Sequence, residues 1–347
     1  MNGPMVTVGI PTYNRAHLLR EAIDSVLAQS YRDFTLLVSD NASTDETSEV
    51  VESFADPRIR YVRAQENIGM VANFNRLVEL AETELIMLLP DDDMLYPGYL
   101  GAVVDVLQRY PAVGVAHTAF DEIDIESRVR KRAVSFVSSK HARLLEPGQA
   151  YLERSMTSIA ICFSTATFRT SAIREAGGQR PEEEPFADVP LFMRIALKWD
   201  FAYLDSALVG FRTHEETETK RLASKDGQEL DARDRLLTYA RIFFDRRMGF
   251  LEGAKLPSRL RRRYRSLATL RFLADRGGLG ASWMETTSGL WSVVRLYPAI
   301  LAHPLAWRLV AAQLGGRRLR RATGRLTGAI VRSRSTWAAQ RRRRRGG

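Results

Sequence analysis

Short apolar runs punctuate the first 120 residues, at VTVGI (6–10), FTLLVS (34–39), IRYVR (59–63), LIMLL (85–89) and VGVAH (113–117). Between them the apolar residues take helical spacing. Leu19, Ala22, Ile23, Val26 and Leu27 recur at intervals of three and four, which puts them on one helix face. Ser43 with Glu46 reads as a capping box opening a second helix, whose inner face would carry Val50, Val51 and Phe54. Residues 70–81 and 99–110 supply two more helices. Strand and helix alternating at this spacing predict βαβ units, and so an α/β fold with a mostly parallel sheet flanked by helices.

Past residue 120 the pattern changes. Residues 121–150 mix charges and predict a connecting loop or an edge hairpin. SIAICFSTATF (158–168) reads as a buried strand, residues 188–198 as a helix, and FAYLDSALVGFR (201–212) as a strand or hairpin. From about 228 the chain becomes helical and basic, with a Gly- and Pro-punctuated apolar stretch at 289–314. No internal repeat is visible. The expected organisation is an α/β domain over 1–225, a helical region over 226–316 and an Arg-rich, disordered tail over 317–347.

Composition adds limits. With 45% hydrophobic and 27% charged residues, the 347-residue chain is ordinary globular material and not a collagen-like or wholly disordered one. Its formal charge of +10 is uneven: residues 317–347 hold twelve Arg and no Asp, Glu or Lys, which leaves −2 for residues 1–316. The basic character belongs to the tail. A single cysteine, Cys162, excludes an internal disulfide and a Cys-rich zinc site and suits a reducing cytoplasm. No basic, then apolar, leader opens the chain, and no window of about 18 apolar residues suggests a membrane span.

Ligands of open α/β sheets bind beyond the carboxyl ends of the strands. The first strand runs into Pro11-Thr12-Tyr13-Asn14-Arg15, the second into Asp40-Asn41-Ala42-Ser43-Thr44-Asp45 and the fourth into Pro90-Asp91-Asp92-Asp93. Asn14 and Ser43 fit helix caps, and Asp45 suits the positive end of a helix. Asp40 precedes the cap and is harder to read as one. Three adjacent carboxylates repel one another, and a hard divalent cation such as Mg²⁺ would remove that cost, with phosphate oxygens completing its shell. A solvated acidic loop is the plain alternative. The chain has no Gly-x-Gly-x-x-Gly, no P-loop, no Gly-x-Ser-x-Gly and no paired metal-binding histidines, which removes most support for dinucleotide oxidoreductases, P-loop enzymes and α/β hydrolases.

These blocks resemble a known family. VTVGIPTYNRAHLLREAIDSVLAQSYRDFTLLVSDNASTDET, NIGMVANFNRLVELA with LIMLLPDDDMLYPGYL, and FADVPLFMRIA with FRTH are similar, in order, to the three blocks of family-2 glycosyltransferases. The resemblance spans roughly residues 5–215. It implies a GT-A (Rossmann-like) fold over the α/β domain, a nucleoside-diphosphate sugar donor with UDP the default, a divalent cation (Mg²⁺ or Mn²⁺), and inverting transfer to a hydroxyl. By the same resemblance Pro11, Thr12, Tyr13 and Arg15 line the nucleobase pocket and Asp40 bonds the base. Asn75 stands near the donor, Asp91 faces the ribose, Asp92 is the metal ligand and Asp93 lies toward sugar or acceptor. His214 approaches the metal or diphosphate, and Asp188 is the general base. The chain departs from the family at Pro90, where an Asp is common, and at Ala187, where Glu usually precedes the Asp.

Alternatives stand beside these assignments. Asp188 precedes a helix with Pro190 in its first turn, which also suits an N-cap, and His214 also suits a surface position. A sugar-nucleotide nucleotidyltransferase would share the sheet and carboxylates, but would need a Gly-rich basic loop where this chain has PTYNR. A dead adaptor binding membrane or nucleic acid is a further alternative, opposed by the presence of Asp40, Asp92 and Asp188. The expected acceptor is a glycan or a lipid-linked glycan. The stretch at 289–314 carries Trp291, Tyr297 and Trp307 among Arg295, Arg308 and two prolines, which suits a segment at an anionic membrane surface. A buried helical hairpin, or nonspecific nucleic-acid binding by the tail, would account for the same residues. The expected location is cytoplasmic, peripheral on the inner face of the membrane.

Overall fold

The structure, a computed structural model, describes residues 5–137, 144–214, 224–225, 228–229, 232–278, 283–307 and 309. The chain divides into two compact units, Met1–Leu222 and Ala223–Gly347.

The first unit is built on one sheet. Its strands are β1 (Val6–Thr12), β2 (Phe34–Asp40), β3 (Ile59–Arg63), β4 (Leu85–Leu88), β5 (Met94–Leu95), β6 (Val113–Ile123), β7 (Val129–Val134), β8 (Leu145–Glu146), β9 (Ala166–Arg169) and β10 (Asp200–Arg212). They run in the order β3-β2-β1-β4-β9-β6-β10-β5, with β7 on β6 and β8 on β10. The half β3-β2-β1-β4 is parallel throughout, as the alternation of strand and helix predicts. Beyond it the sheet is mixed: β9 runs antiparallel to both β4 and β6, whereas β6 and β10 are parallel. β6 extends six residues past the apolar run that announced it, and its pairing with β7 makes the edge hairpin expected within 121–150.

Four helices fall between the strands of the first 113 residues: α1 (Ala16–Leu27), α2 (Thr47–Glu52), α3 (Met70–Leu80) and α4 (Tyr99–Arg109), the last packed on β6 and β10. Leu19, Ala22, Ile23 and Val26 of α1 are wholly buried against Val6, Val8, Ile10, Leu36 and Val38, and Leu27 packs at the margin. Full burial of each such Leu, Ile or Val is worth about 1.5–3 kcal/mol, which is why the 3.6-residue period locates these helices well. The later helices are α5 (Gly148–Ser155), α6 (Thr170–Glu175) and α7 (Asp188–Ile195).

Three local expectations are corrected. Residues 158–162 form no strand; the chain makes a 3-10 turn at Phe163–Thr165 and only then enters β9, and of the apolar run Ala160 and Ile161 are buried without strand pairing while Ile159 is exposed. Ser43 and Glu46 form no capping box, because α2 begins at Thr47 without a side-chain cap from Glu46. Asn14 does not cap α1, whose N-cap position is Arg15; it adopts a left-handed backbone (φ 53°) in the turn before it.

In the second unit a two-stranded pair, β11 (Ser224–Lys225) and β12 (Gln228–Glu229), precedes three helices. These are α8 (Ala232–Gly253), α9 (Ser258–Gly278) and α10 (Trp283–Leu296), followed by a 3-10 turn at Pro298–Ala302. Phe244 of α8 stacks on Phe272 of α9 with ring centroids 4.7 Å apart. Gly289 of α10 lies so close to α9 that a Cβ there would meet Leu273 at 2.7 Å. Of the apolar stretch, Val293, Ile300, Ala306 and Leu309 are buried, while Trp291 and Trp307 are 68% and 53% exposed. Among the described residues no helix is long and apolar enough to cross a membrane. The Arg-rich tail and residues 310–316 lie outside the described residues.

Candidate active site

The carboxyl ends of β1, β2 and β3 are in register: Thr12 pairs with Asp40, and Asp40 with Arg63. The loops that follow are tied together. Asn14 donates its amide to Ser43 Oγ (3.0 Å) and accepts the Thr44 amide on Oδ1 (2.7 Å). Asp45 serves two helices at once, accepting the Ala16 amide of α1 on Oδ2 (3.0 Å) and the Thr47 amide (3.2 Å) and hydroxyl (2.6 Å) of α2 on Oδ1. Burial alone would raise its pKa, but the Thr47 hydroxyl and these amides outweigh burial and hold it below the ordinary carboxylate range. Pro11 and Thr12 are buried at this rim, while the Tyr13 ring is 44% exposed and open to a flat ligand.

Asp40 is 1% exposed and already engaged. Its Oδ1 accepts the Ser43 amide (2.8 Å), and its Oδ2 accepts the Tyr61 hydroxyl (2.6 Å) beside Arg63 Nε at 3.4 Å. It holds the wall of the rim rather than presenting an open carboxylate. Burial first, then Asp40, pushes the Tyr61 phenol up, so it stays a donor. The second sequence block docks on the same edge. Asn73 brackets Ser39, accepting its hydroxyl (2.6 Å) and donating to its carbonyl (2.9 Å), and Asn41 donates to Asn67 (2.8 Å).

The acidic triplet splits three ways. Arg15 Nη1 bonds Asp91 Oδ1 (3.1 Å) and Asp92 Oδ2 (3.2 Å), because two adjacent carboxylates attract the nearest guanidinium. Burial and the neighbouring Asp92 raise Asp91 to about 6 against the pull of Arg15. The same Asp92 Oδ2 lies 3.1 Å from His214 Nε2, so a carboxylate and an imidazole from distant blocks share one point. Asp93 turns inward, 2% exposed, and accepts the Arg212 amide (2.7 Å), so it does not face the open side as expected. Burial and Asp92 push its pKa well up.

Asp188 opens α7 with part of its surface accessible. Burial raises its pKa to about 6, against the amides of residues 188 and 189. Burial first, then the charge of Asp93, pushes the Cys162 thiol up, with a smaller push from Asp188. Asn75 clamps the segment leading to Asp188, donating Nδ2 to the Gln179 carbonyl (2.8 Å) and accepting the Gln179 amide on Oδ1 (2.9 Å). Gly178 is required there: its φ is +62°, and a Cβ would meet Asn75 Oδ1 at 2.5 Å. Arg194 completes the clamp by donating to the Ala176 and Gly178 carbonyls (2.9 and 2.6 Å).

Among the described residues no three His, Cys, Asp or Glu side chains gather closely enough to hold a metal unaided. Two donors, Asp92 and His214, are presented together. One carboxylate and one imidazole suit Mg²⁺ or Mn²⁺ when phosphate oxygens fill the remaining positions. Sequence reasoning missed Tyr61, Arg63, Glu21 and Arg212. The Arg of FRTH was in view, but nothing in its spacing shows that it is buried.

At the ends of β1, β2 and β4 the fold gathers carboxylates and an exposed tyrosine ring, and there Asp92 meets His214 from the end of β10. Residues 7–175 match the family model Glycosyl transferase family 2. The match takes in 169 of the 347 residues, and the fold is that of the GT-A glycosyltransferases it resembles. An uncharacterized protein of Sinorhizobium fredii, y4gI, is 40% identical over 126 residues, 35% of this chain and 14% of its own length. The putative glycosyltransferase EpsE of Bacillus subtilis is 28% identical over 205 residues, 56% of this chain and 67% of its own. The GalNAc(5)-diNAcBac-PP-undecaprenol β-1,3-glucosyltransferase of Campylobacter jejuni is 36% identical over 104 residues, 29% of this chain and 34% of its own. This chain thus spans from about a seventh to two thirds of these relatives. Among solved structures, S. aureus TarS 1–349 with UDP-GlcNAc superposes with TM-score 0.57 at 16% identity over 95% of this chain and 92% of that one. The mannosyltransferase PcManGT of Pyrobaculum calidifontis with GDP-Man and Mn²⁺ does so with TM-score 0.51 at 19% identity over 90% and 86%.

Proposed function

We propose that the protein is an inverting glycosyltransferase that moves a sugar from a nucleoside-diphosphate donor, UDP-linked by preference, to a hydroxyl of a glycan or lipid-linked acceptor. The observation that carries this reading is the meeting of Asp92 and His214 at 3.1 Å, beside Arg15. Tyr13 would stack on the base, with Pro11 and Thr12 behind it and Asp40 holding Tyr61 and Arg63 at the edge. Asp91 would take the ribose. Asp92 and His214 would hold Mg²⁺ or Mn²⁺, which when bound offsets the charge of the departing diphosphate. Asp188, with a carboxyl near 6, is largely ionised at neutral pH and suited to take the acceptor proton as the hydroxyl attacks opposite the leaving group. No covalent sugar–enzyme intermediate is required. A lipid-linked acceptor accords with the C. jejuni relative, and a cation with the Mn²⁺ of the archaeal neighbour.

In this reading residues 1–225 form the catalytic domain, and the basic region that follows rests on the anionic inner face of the membrane. The test is a nucleotide-sugar panel read by release of nucleoside diphosphate, with and without Mn²⁺, Mg²⁺ and EDTA. Release only with a donor, and its loss in EDTA, is expected. Pyrophosphate release from a nucleoside triphosphate plus sugar phosphate would instead make the chain a nucleotidyltransferase.

A further inference from the structure

Arg212 ends β10, two residues before His214, and its side chain is 1% exposed. A guanidinium is always charged, and burying it is costly unless its donors are used. Here they are. Nε donates to the Asp92 carbonyl (2.7 Å), and Nη1 to the carbonyls of Asp124 (2.9 Å) and Ile125 (3.0 Å) and to Ser127 Oγ (3.0 Å). Nη2 donates to Glu21 Oε2 (2.7 Å), which also accepts the Ser127 hydroxyl (2.6 Å). The Arg212 amide donates to Asp93 Oδ1 (2.7 Å). One residue therefore joins the backbone of the acidic triplet, the loop between β6 and β7, and α1, and does so from the strand that delivers His214.

A well-packed apolar side chain would fill this place at lower electrostatic cost. What the guanidinium adds is direction: its Nε bond falls on the backbone of Asp92, while the main-chain amide of the same residue holds the side chain of Asp93. We propose that Arg212, braced by Glu21 and Ser127, is a positioning residue that sets Asp92 against His214 for cation binding. The proposal rests on the metal-assisted reading of that pair. Outer partners of metal ligands commonly change metal affinity by about 10–100-fold when lost. Glu21 is the informative handle, because its side chain is 45% exposed and its replacement disturbs no core.

The experiment titrates Mn²⁺ into the full chain with UDP present, against a blank of UDP alone, and follows the free-ion electron paramagnetic resonance signal, with melting recorded on metal-free samples. Asp92→Ala defines which uptake belongs to the pair. Glu21→Ala, assayed below the melting transition that unpairing the buried Arg212 lowers, should weaken that uptake by about tenfold or more. Glu21→Gln, which can still accept both hydrogen bonds, should retain most of it. Arg212→Lys, which keeps the charge but not the fork, should lose at least as much as Glu21→Ala where it folds. Wild-type uptake in Glu21→Ala overturns the proposal, as does a loss in Glu21→Gln equal to that in Glu21→Ala. If the wild-type chain shows no uptake sensitive to Asp92→Ala, the metal reading itself fails, and the positioning role falls with it.

Discussion

Asp92 Oδ2 and His214 Nε2 lie 3.1 Å apart although 122 residues separate them in the chain. The contact closes the site. It joins the loop after β4 to the end of β10, two strands that are not neighbours in the sheet. Arg15 Nη1 bonds the same oxygen at 3.2 Å, so three segments of chain meet on one carboxylate.

Asp92→Ala removes that meeting point. Donor-dependent release of nucleoside diphosphate should fall to background, and Mn²⁺ should no longer strengthen nucleotide binding measured by calorimetry. Circular dichroism should be unchanged, because the carboxylate faces the rim rather than the core. Transfer that survives in the variant, or in EDTA, removes the metal role.

Asp188 gives a pH signature. Its carboxyl is raised to about 6, chiefly by burial, and only the ionised form can accept a proton. The rate at saturating donor should therefore climb as pH rises through about 6 and level off above it. Asp188→Asn should lower transfer by at least ~10²-fold and abolish the climb, with donor binding kept. Near-normal transfer with only an earlier melt would mean that Asp188 serves as the first residue of α7 and nothing more.

Much of this was legible in the sequence because burial leaves a periodic trace. The spacing of Leu19, Ala22, Ile23 and Val26 located α1, and polar clusters after apolar runs located the rim. Order along the chain does not report pairing direction, so the antiparallel entry of β9 was invisible, and Ala160 and Ile161 are buried in a segment that pairs with no strand. Side-chain partners were the hardest to read. Asn75 and Asp40 are polar residues in the right blocks, yet their atoms are used on Gln179, Ser43 and Tyr61, contacts that only the folded chain creates. Arg212 was hidden for the same reason: a buried Arg and an exposed one look alike in sequence.

Asp45 should matter to stability more than to chemistry. It caps both α1 and α2, and loss of one such cap costs typically about 1 kcal/mol, so Asp45→Ala should destabilise the first unit by about 2 kcal/mol. The sign with pH follows from its lowered pKa. The stabilising contribution is full above the unfolded-state value of about 4 and is lost as pH falls through the lower folded value. The gap in denaturation midpoint between wild type and variant should be wide at pH 7 and narrow in acid. An equal gap at both, or none at pH 7, refutes the double cap.

The last prediction concerns the second unit. Residues 232–309 carry fifteen Lys and Arg against five Asp and Glu, and twelve more Arg follow in 317–347. On this basic unit Trp291, Trp307 and Leu301 are 68%, 53% and 44% exposed. Exposed indoles among cationic residues match the interfacial region of a bilayer, where Trp sits at headgroup depth. Each Lys or Arg near an anionic surface adds about 1 kcal/mol of attraction, which salt screens. Nuclease-treated full chain should therefore sediment with vesicles of phosphatidylcholine plus phosphatidylglycerol, and poorly with phosphatidylcholine alone. Raising the salt to about 0.5 M should release much of it, since the Debye length then falls well below 8 Å. Trp291→Ser with Trp307→Ser should weaken sedimentation further at any salt, as both rings leave solvent only by entering lipid. Sedimentation indifferent to phosphatidylglycerol and salt, or equal in the double variant, would remove the membrane role and return these tryptophans to ordinary surface positions.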